Sequence, residues 1–169
     1  MIYFIYNTLK KEFFNMNDLK EKILTFIINE NNEFLLLKTS DKDPQFHKSF
    51  WYVVTGSCEK EDKSKIETVK REVKEETGLD VIQTIYLNKT FTYESLGSNY
   101  IEYVYLSKVN KTNIILNEEH IDYEWCSLDK FIEQIHWFEP KIFLIDLLKY
   151  INLYYKKINH ISDEVVKKK

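Results

Sequence analysis

The order of apolar and polar positions divides this chain into strands and helices. Residues 22–28 and 33–38 are rich in Ile, Leu, Phe and Thr, and Asn29, Glu30, Asn31 and Asn32 stand between the two runs. Two strand-like runs around a short polar turn predict a β-hairpin. Residues 39–49 are polar and contain Pro44, a loop signal, after which residues 50–54 (Phe-Trp-Tyr-Val-Val) return to strand chemistry, with Gly56 expected to end that strand. Ile66, Val69 and Val73 then recur at spacings of three and four up to Gly78, the pattern of an amphipathic helix closed by a glycine just past its end. β-Branched and aromatic residues predict further strands at 81–87, 90–94, 100–109 and a short one at 122–126. Two helices are expected to finish the chain. One begins near Ser127 with Asp129 in its first turn, and one runs from Pro140 to about residue 155 with Ile142, Leu144, Ile145, Leu148 and Ile151 as its apolar face. Strands, one acidic helix, strands and then helices describe a mixed α/β (α+β) layered fold.

The length of 169 residues suits one domain, with 44% apolar and 30% charged residues in the range of ordinary globular chains. The reading places that domain at 18–158, with an extension at 1–17 and a solvated tail at 159–169. Met1–Tyr6 is apolar but too short for a signal peptide and lacks a basic start, and Met16 offers a second beginning. A formal charge of -3 argues against a surface that coats nucleic acid, so no nucleic-acid partner is expected. No apolar run has the length of about 20 residues that spans a bilayer, and no membrane partner is expected. Cys58 and Cys126 form no CxxC pair, which fits a reducing, cytoplasmic setting without disulfide or zinc.

Glu72, Glu75 and Glu76 stand at relative positions zero, three and four of the predicted helix, so their carboxylates share a face. Like charges at this spacing oppose one another by roughly 0.2–0.5 kcal/mol per pair in an isolated helix. Hard divalent cations prefer such carboxylate oxygens, often bridging them to phosphates. The ordinary alternative is a solvated face on which Lys70, Arg71 and Lys74 are ion-pair partners.

Context favours the cation. Gly56 and Gly78, two of only three glycines, bracket this helix. The stretch 56–79, GSCEKEDKSKIETVKREVKEETGL, resembles the Nudix box: a glycine, five residues, a glutamate, seven residues, then Arg-Glu-apolar-x-Glu-Glu-x-Gly-apolar. Arg71, Glu72, Val73, Glu75, Glu76, Gly78 and Leu79 match the second half. In the first half, counting forward from Gly56 puts Asp62 at the glutamate's place, whereas counting back from Arg71 puts Lys63 there, so one residue is inserted near 62–64. The order of hairpin, box, strands and terminal helix is similar to the family over residues 22–155.

The resemblance implies an α/β/α sandwich with a mixed central sheet and a loop-helix-loop catalytic motif. It also implies hydrolysis of a phosphoanhydride bond in a small nucleotide-like substrate, with Mg²⁺ as cofactor and Mn²⁺ as its substitute, by a monomer or homodimer. Residues 54–57 and 118–125 are similar to the branch acting on nucleoside or dihydroneopterin triphosphates. Carried over residue by residue, Glu75 and Glu76 are metal ligands, Glu72 is a further ligand or orients the water, and the Gly56 carbonyl completes the shell. Arg71 would fix the carboxylates by pairing with them, an alternative to a phosphate contact. Glu119 is the acid outside the box, with His120 after it. Phe50 and Trp51 are candidates for a stacking wall and Lys38 for a phosphate contact, against the ordinary readings of core packing and a solvated lysine. Nucleotide sugars, dinucleoside polyphosphates or a prenyl diphosphate are the competing substrates, and a non-catalytic nucleotide-binding module is the competing class.

Overall fold

A computed structural model describes residues 19–41, 48–138, 141, 142, 144–146, 148 and 149. The apolar start at 1–6, Met16, Pro44, Pro140, Ile151 and the tail at 159–169 lie outside the described residues. The chain is α+β with a mixed sheet, and it divides into two compact units, one comprising the chain up to Ile27 with Val53–Asn117 and the other comprising Ile28–Tyr52 with the chain from Glu118 onward.

The first unit contains β1 (Lys20–Ile28), β4 (Val54–Ser57), helix α1 (Lys65–Thr77), β5 (Val81–Ser95) and β6 (Ser98–Val109). β4 and β1 run antiparallel with Ile23 opposite Gly56, β1 neighbours β6, and β6 pairs antiparallel with β5. From Ile23 onward β1 is buried at every position, because both of its faces are covered, so it reads as an apolar run without alternation. Instead of two strands, β5 is one of 15 residues; its register shifts between Tyr86 and Thr90, where Asn88 takes φ 53°. The polar Asn88 and Lys89 mark a bulge that the strand runs through. Leu96 and Gly97, both at positive φ, make the two-residue turn into β6.

The second unit contains β2 (Phe34–Thr39), β3 (Trp51–Tyr52), β7 (His120–Cys126) and helix α2 (Leu128–Gln134). β2 lies between β3 and β7, antiparallel to both, with Lys38 opposite Trp51 and Phe34 opposite Cys126. The turn into β2 is built by Asn29, fully buried, whose Oδ1 accepts from the backbone N–H of Asn31 and Glu33. A side chain that mimics a backbone turn is what this residue type supplies. Phe131 of α2 is buried against Phe34 with ring centroids 5.1 Å apart.

Four further expectations need correction. The strand expected at 50–54 is two strands, β3 and β4, which pair with different partners on either side of Val53. Gly56 lies inside β4 and does not end it. Ile66 is 44% exposed, so the buried face of α1 is Thr68, Val69, Val73, Glu76 and Thr77. Ile142 of the terminal helix is also exposed, while Leu144 and Leu148 are buried. No helix among the described residues is long and apolar enough to cross a membrane.

Candidate active site

Helix α1 is fixed at both ends by its own sequence. Ser64 caps its start by accepting from the Glu67 N–H, and the Glu67 carboxylate reaches back to the Lys63 N–H, a reciprocal arrangement close to a capping box. At the other end Gly78 takes φ 72° and donates its N–H to the Lys74 carbonyl. Lys65, the first helical residue, pairs with Glu21 of β1 at 2.9 Å and lies over the Tyr103 ring, while the Tyr103 hydroxyl donates to Glu21. The helix packs on β4 and β5.

This placement brings the Glu72 carboxylate onto the backbone of β4. A Cβ added to Gly56 would fall 1.9 Å from Glu72 Cδ and 2.0 Å from its Oε1. A methyl group here would displace the end of the Glu72 side chain, so glycine permits this close approach. Of the other box carboxylates, Glu76 is buried at 3% exposure, whereas the Glu75 side chain is 55% exposed.

Arg71 organises the cluster. Its Nη1 donates to Glu72 Oε1 at 2.9 Å and to Glu75 Oε2 at 3.2 Å, and its Nη2 to the Ser57 carbonyl and to Asp62 Oδ2, both at 2.9 Å. Nε completes a fork on Asp62 through Oδ1 at 3.2 Å. The fork holds the Asp62 carboxyl well below the usual carboxylate range, and Asp62 in turn raises the already high pKa of Arg71. The inserted residue in the first half of the box is thereby accommodated: Asp62, not Lys63, faces the arginine. The sequence left these two positions open because spacing alone does not say which side of the insertion keeps its register. Sequence reasoning also missed Thr68, whose hydroxyl donates to Asp62; its position three residues before Arg71 was the available signal.

Glu72, Glu75, Glu76 and the Gly56 carbonyl, the ligands the resemblance implies, offer only oxygen, the donor type a hard divalent cation prefers. Among the described residues no three His, Cys, Asp or Glu side chains are gathered as they would be around an ion. Arg71 Nη1 here takes the space between Glu72 and Glu75.

The remaining candidates lie in the second unit. Lys38 Nζ sits 5.7 Å over the Trp51 ring. Phe50 packs against Tyr52, His136 and Phe138, and the His136 N–H donates to the Trp51 carbonyl, so Phe50 belongs to an aromatic cluster that joins β3 to the chain after α2. The Glu119 carbonyl accepts from Ser40 N–H. His120 is buried, and burial lowers its pKa to about 4, which keeps it neutral.

A glycine-bracketed helix with an arginine-held carboxylate cluster, beside a mixed sheet, is the arrangement that the resemblance to the Nudix box implies. The chain matches the NUDIX domain over residues 19–145 and belongs to that family. It is accordingly a hydrolase of the pyrophosphohydrolase class, and enzymes of this family generally use divalent metal ions. Among solved structures it is similar to the MutT protein from Methanosarcina mazei Go1, with 26% identity, TM-score 0.63, and coverage of 82% of this chain and 96% of that one. A C. elegans Ap4A hydrolase shares the fold at 22% identity and TM-score 0.63, covering 82% of this chain and 99% of its own. The E. coli dihydroneopterin triphosphate pyrophosphohydrolase shares it at 24% identity and TM-score 0.56, covering 70% and 89%. No curated protein matches the chain.

Proposed function

We propose that this protein is a Mg²⁺-dependent pyrophosphohydrolase of nucleoside triphosphate-like substrates, a nucleoside or dihydroneopterin triphosphate, that releases pyrophosphate and a monophosphate. The observation that carries this reading is the arginine-held carboxylate face: Glu72 lies on the Gly56 backbone, Glu75 and Glu76 are on the same helix, and Arg71 bonds both Glu72 and Glu75. Glu72, Glu75, Glu76 and the Gly56 carbonyl would hold the cation, which when bound neutralises phosphate charge and lowers the pKa of water. Each residue has a distinct part. Glu75, the most exposed, would hold the cation at the side that incoming phosphates approach. Buried Glu76 is fixed by the packing of α1, and Glu72, held by Arg71 on one side and β4 on the other, orients the attacking water. Among the proteins that share the fold, one is named for a triphosphate, dihydroneopterin triphosphate, in line with this reading.

The test is turnover of purified protein with Mg²⁺ or chelator on nucleoside triphosphates, dihydroneopterin triphosphate and a nucleotide sugar, with pyrophosphate and orthophosphate read separately. Pyrophosphate from a triphosphate, lost with chelator and reduced by about 100-fold or more in Glu76→Gln, is the expected result. Orthophosphate as the sole product rejects the cleavage site, and preferred hydrolysis of the nucleotide sugar rejects the substrate class.

A further inference from the structure

Asp62 holds the arginine that holds the catalytic carboxylates, so whatever fixes Asp62 acts on the site at one remove. Asp62 comes from a loop one residue longer than the family spacing and has one methylene fewer than the glutamate it replaces. Its Oδ2 accepts from three donors: Arg71 Nη2 at 2.9 Å, the Glu59 N–H at 3.1 Å and the Thr68 hydroxyl at 2.9 Å. Thr68 sits on the inner face of α1 and is fully buried. Its other acceptor, the Ser64 carbonyl, is 3.5 Å away. A hydroxyl has one proton, and the shorter contact to a charged acceptor takes it. A β-branched residue adds nothing to helix propensity, and a buried hydroxyl needs a partner, so this threonine is explained by its bond to Asp62.

We propose that Thr68 is a positioning residue for the hydrolytic site: its hydroxyl anchors Asp62, Asp62 holds the Arg71 fork, and Arg71 sets the poses of Glu72 and Glu75. The proposal rests on the reading that these carboxylates bind a divalent cation. The effect is relayed through three hydrogen-bonded links, all within the first unit, and Thr68 itself touches neither cation nor substrate.

The experiment reads Mn²⁺ binding by titration without substrate, alongside kcat and KM with Mg²⁺ and the best triphosphate. Thr68→Val keeps shape and removes the hydroxyl; it should weaken Mn²⁺ binding by roughly tenfold, the low end for groups outside the ligand shell, and lower kcat more than it raises KM. Thr68→Ser keeps the hydroxyl and should recover binding to within about twofold of the parent. Thr68→Ala removes the same hydroxyl with less bulk and serves if the valine variant does not fold. Thr77→Val is the control for helix packing, because the Thr77 hydroxyl bonds the Val73 carbonyl and the Leu79 N–H, away from Asp62. It should lower Tm and leave Mn²⁺ binding unchanged. In a double-variant cycle, Asp62→Asn with Thr68→Val should bind Mn²⁺ no worse than Asp62→Asn alone. Unchanged binding in both the valine and alanine variants, failure of serine to rescue, an equal loss in Thr77→Val, or additive losses in the cycle would each overturn the proposal. A parent protein that binds Mn²⁺ but cleaves no triphosphate overturns the substrate reading alone; a parent that binds no Mn²⁺ overturns both.

Discussion

Asp62 and Glu102 are carboxyls of the same unit, both largely shielded from water, and their chemistry is opposite. Asp62 is enclosed by the Arg71 fork, the Glu59 N–H and the Thr68 hydroxyl, and its pKa is held well below the usual range. Glu102 stands on β6 opposite Phe91, with the Tyr93 hydroxyl at 3.5 Å, and burial pushes its pKa up to about 7. Lys22 draws it down only in part, and its ammonium lies over the Tyr100 ring. Desolvation favours the neutral acid at either place. A guanidinium bonded directly to both oxygens outweighs that effect, whereas a lysine acting through space does not. The first arrangement keeps a charge fixed beside a candidate cation site, and the second stores a proton.

The largest effect expected from disturbing this contrast comes from Gly56→Ala. The new methyl group must displace the Glu72 carboxylate from Arg71 while leaving Asp62 in place. Activity should fall by about 100-fold. Because the displaced group is the end of a flexible side chain, stability should change by no more than about 1 kcal/mol. Turnover and denaturant unfolding measured on one preparation check both statements, and a fully active alanine variant rejects the placement of Glu72.

Glu102→Gln should sharpen the other side of the comparison. The folded pKa is raised from 4.5 to about 7, so across that window the folded protein keeps a proton that the unfolded chain has released. This group therefore costs nothing below pH 4.5, and its cost grows as pH rises towards 7. Relative to the parent, the glutamine variant should gain roughly 2–3 kcal/mol between pH 4 and pH 8. Urea unfolding at both pH values measures it; an advantage that does not grow with pH contradicts the buried, neutral Glu102.

Arg71→Lys has a smaller effect on stability than Glu102→Gln. It retains the charge and loses the fork, so about 1 kcal/mol of stability at pH 7 should go, and the Asp62 pKa should move up towards 3.8. The contribution of Asp62 is present above 3.8 and is lost as pH falls through its depressed folded value, so the difference between lysine and arginine proteins should fade in acid. Carboxyl titration by NMR together with unfolding at pH 7 and pH 3 reads both effects.

Much of the first unit was legible in the sequence because its signals are local. The helix, its closing glycine and the shared face of Glu72, Glu75 and Glu76 all follow from spacings of a few residues, and Arg71 meets Asp62 only nine positions away. The second unit was less legible. Phe50, Trp51 and Lys38 were candidates for substrate contact, but Phe50 is engaged by His136 and Phe138, and Lys38 lies over Trp51. Contacts between residues more than 80 positions apart leave no periodic trace in the chain. The split of 50–54 into two strands was hidden as well, since a run of five apolar residues does not reveal that its ends pair with different neighbours.

The sequence by itself determined the family, the order of elements and the acidic helix, because periodicity, capping and motif spacing act within a few turns of chain. Only the tertiary structure decided that Asp62, not Lys63, receives Arg71, that Glu72 lies against the Gly56 backbone, and that burial pushes the Glu102 pKa up to about 7. Each of these depends on which groups exclude water and which donate a hydrogen bond at a particular point in space. Chain order does not encode that until the strands have paired and the helix has packed.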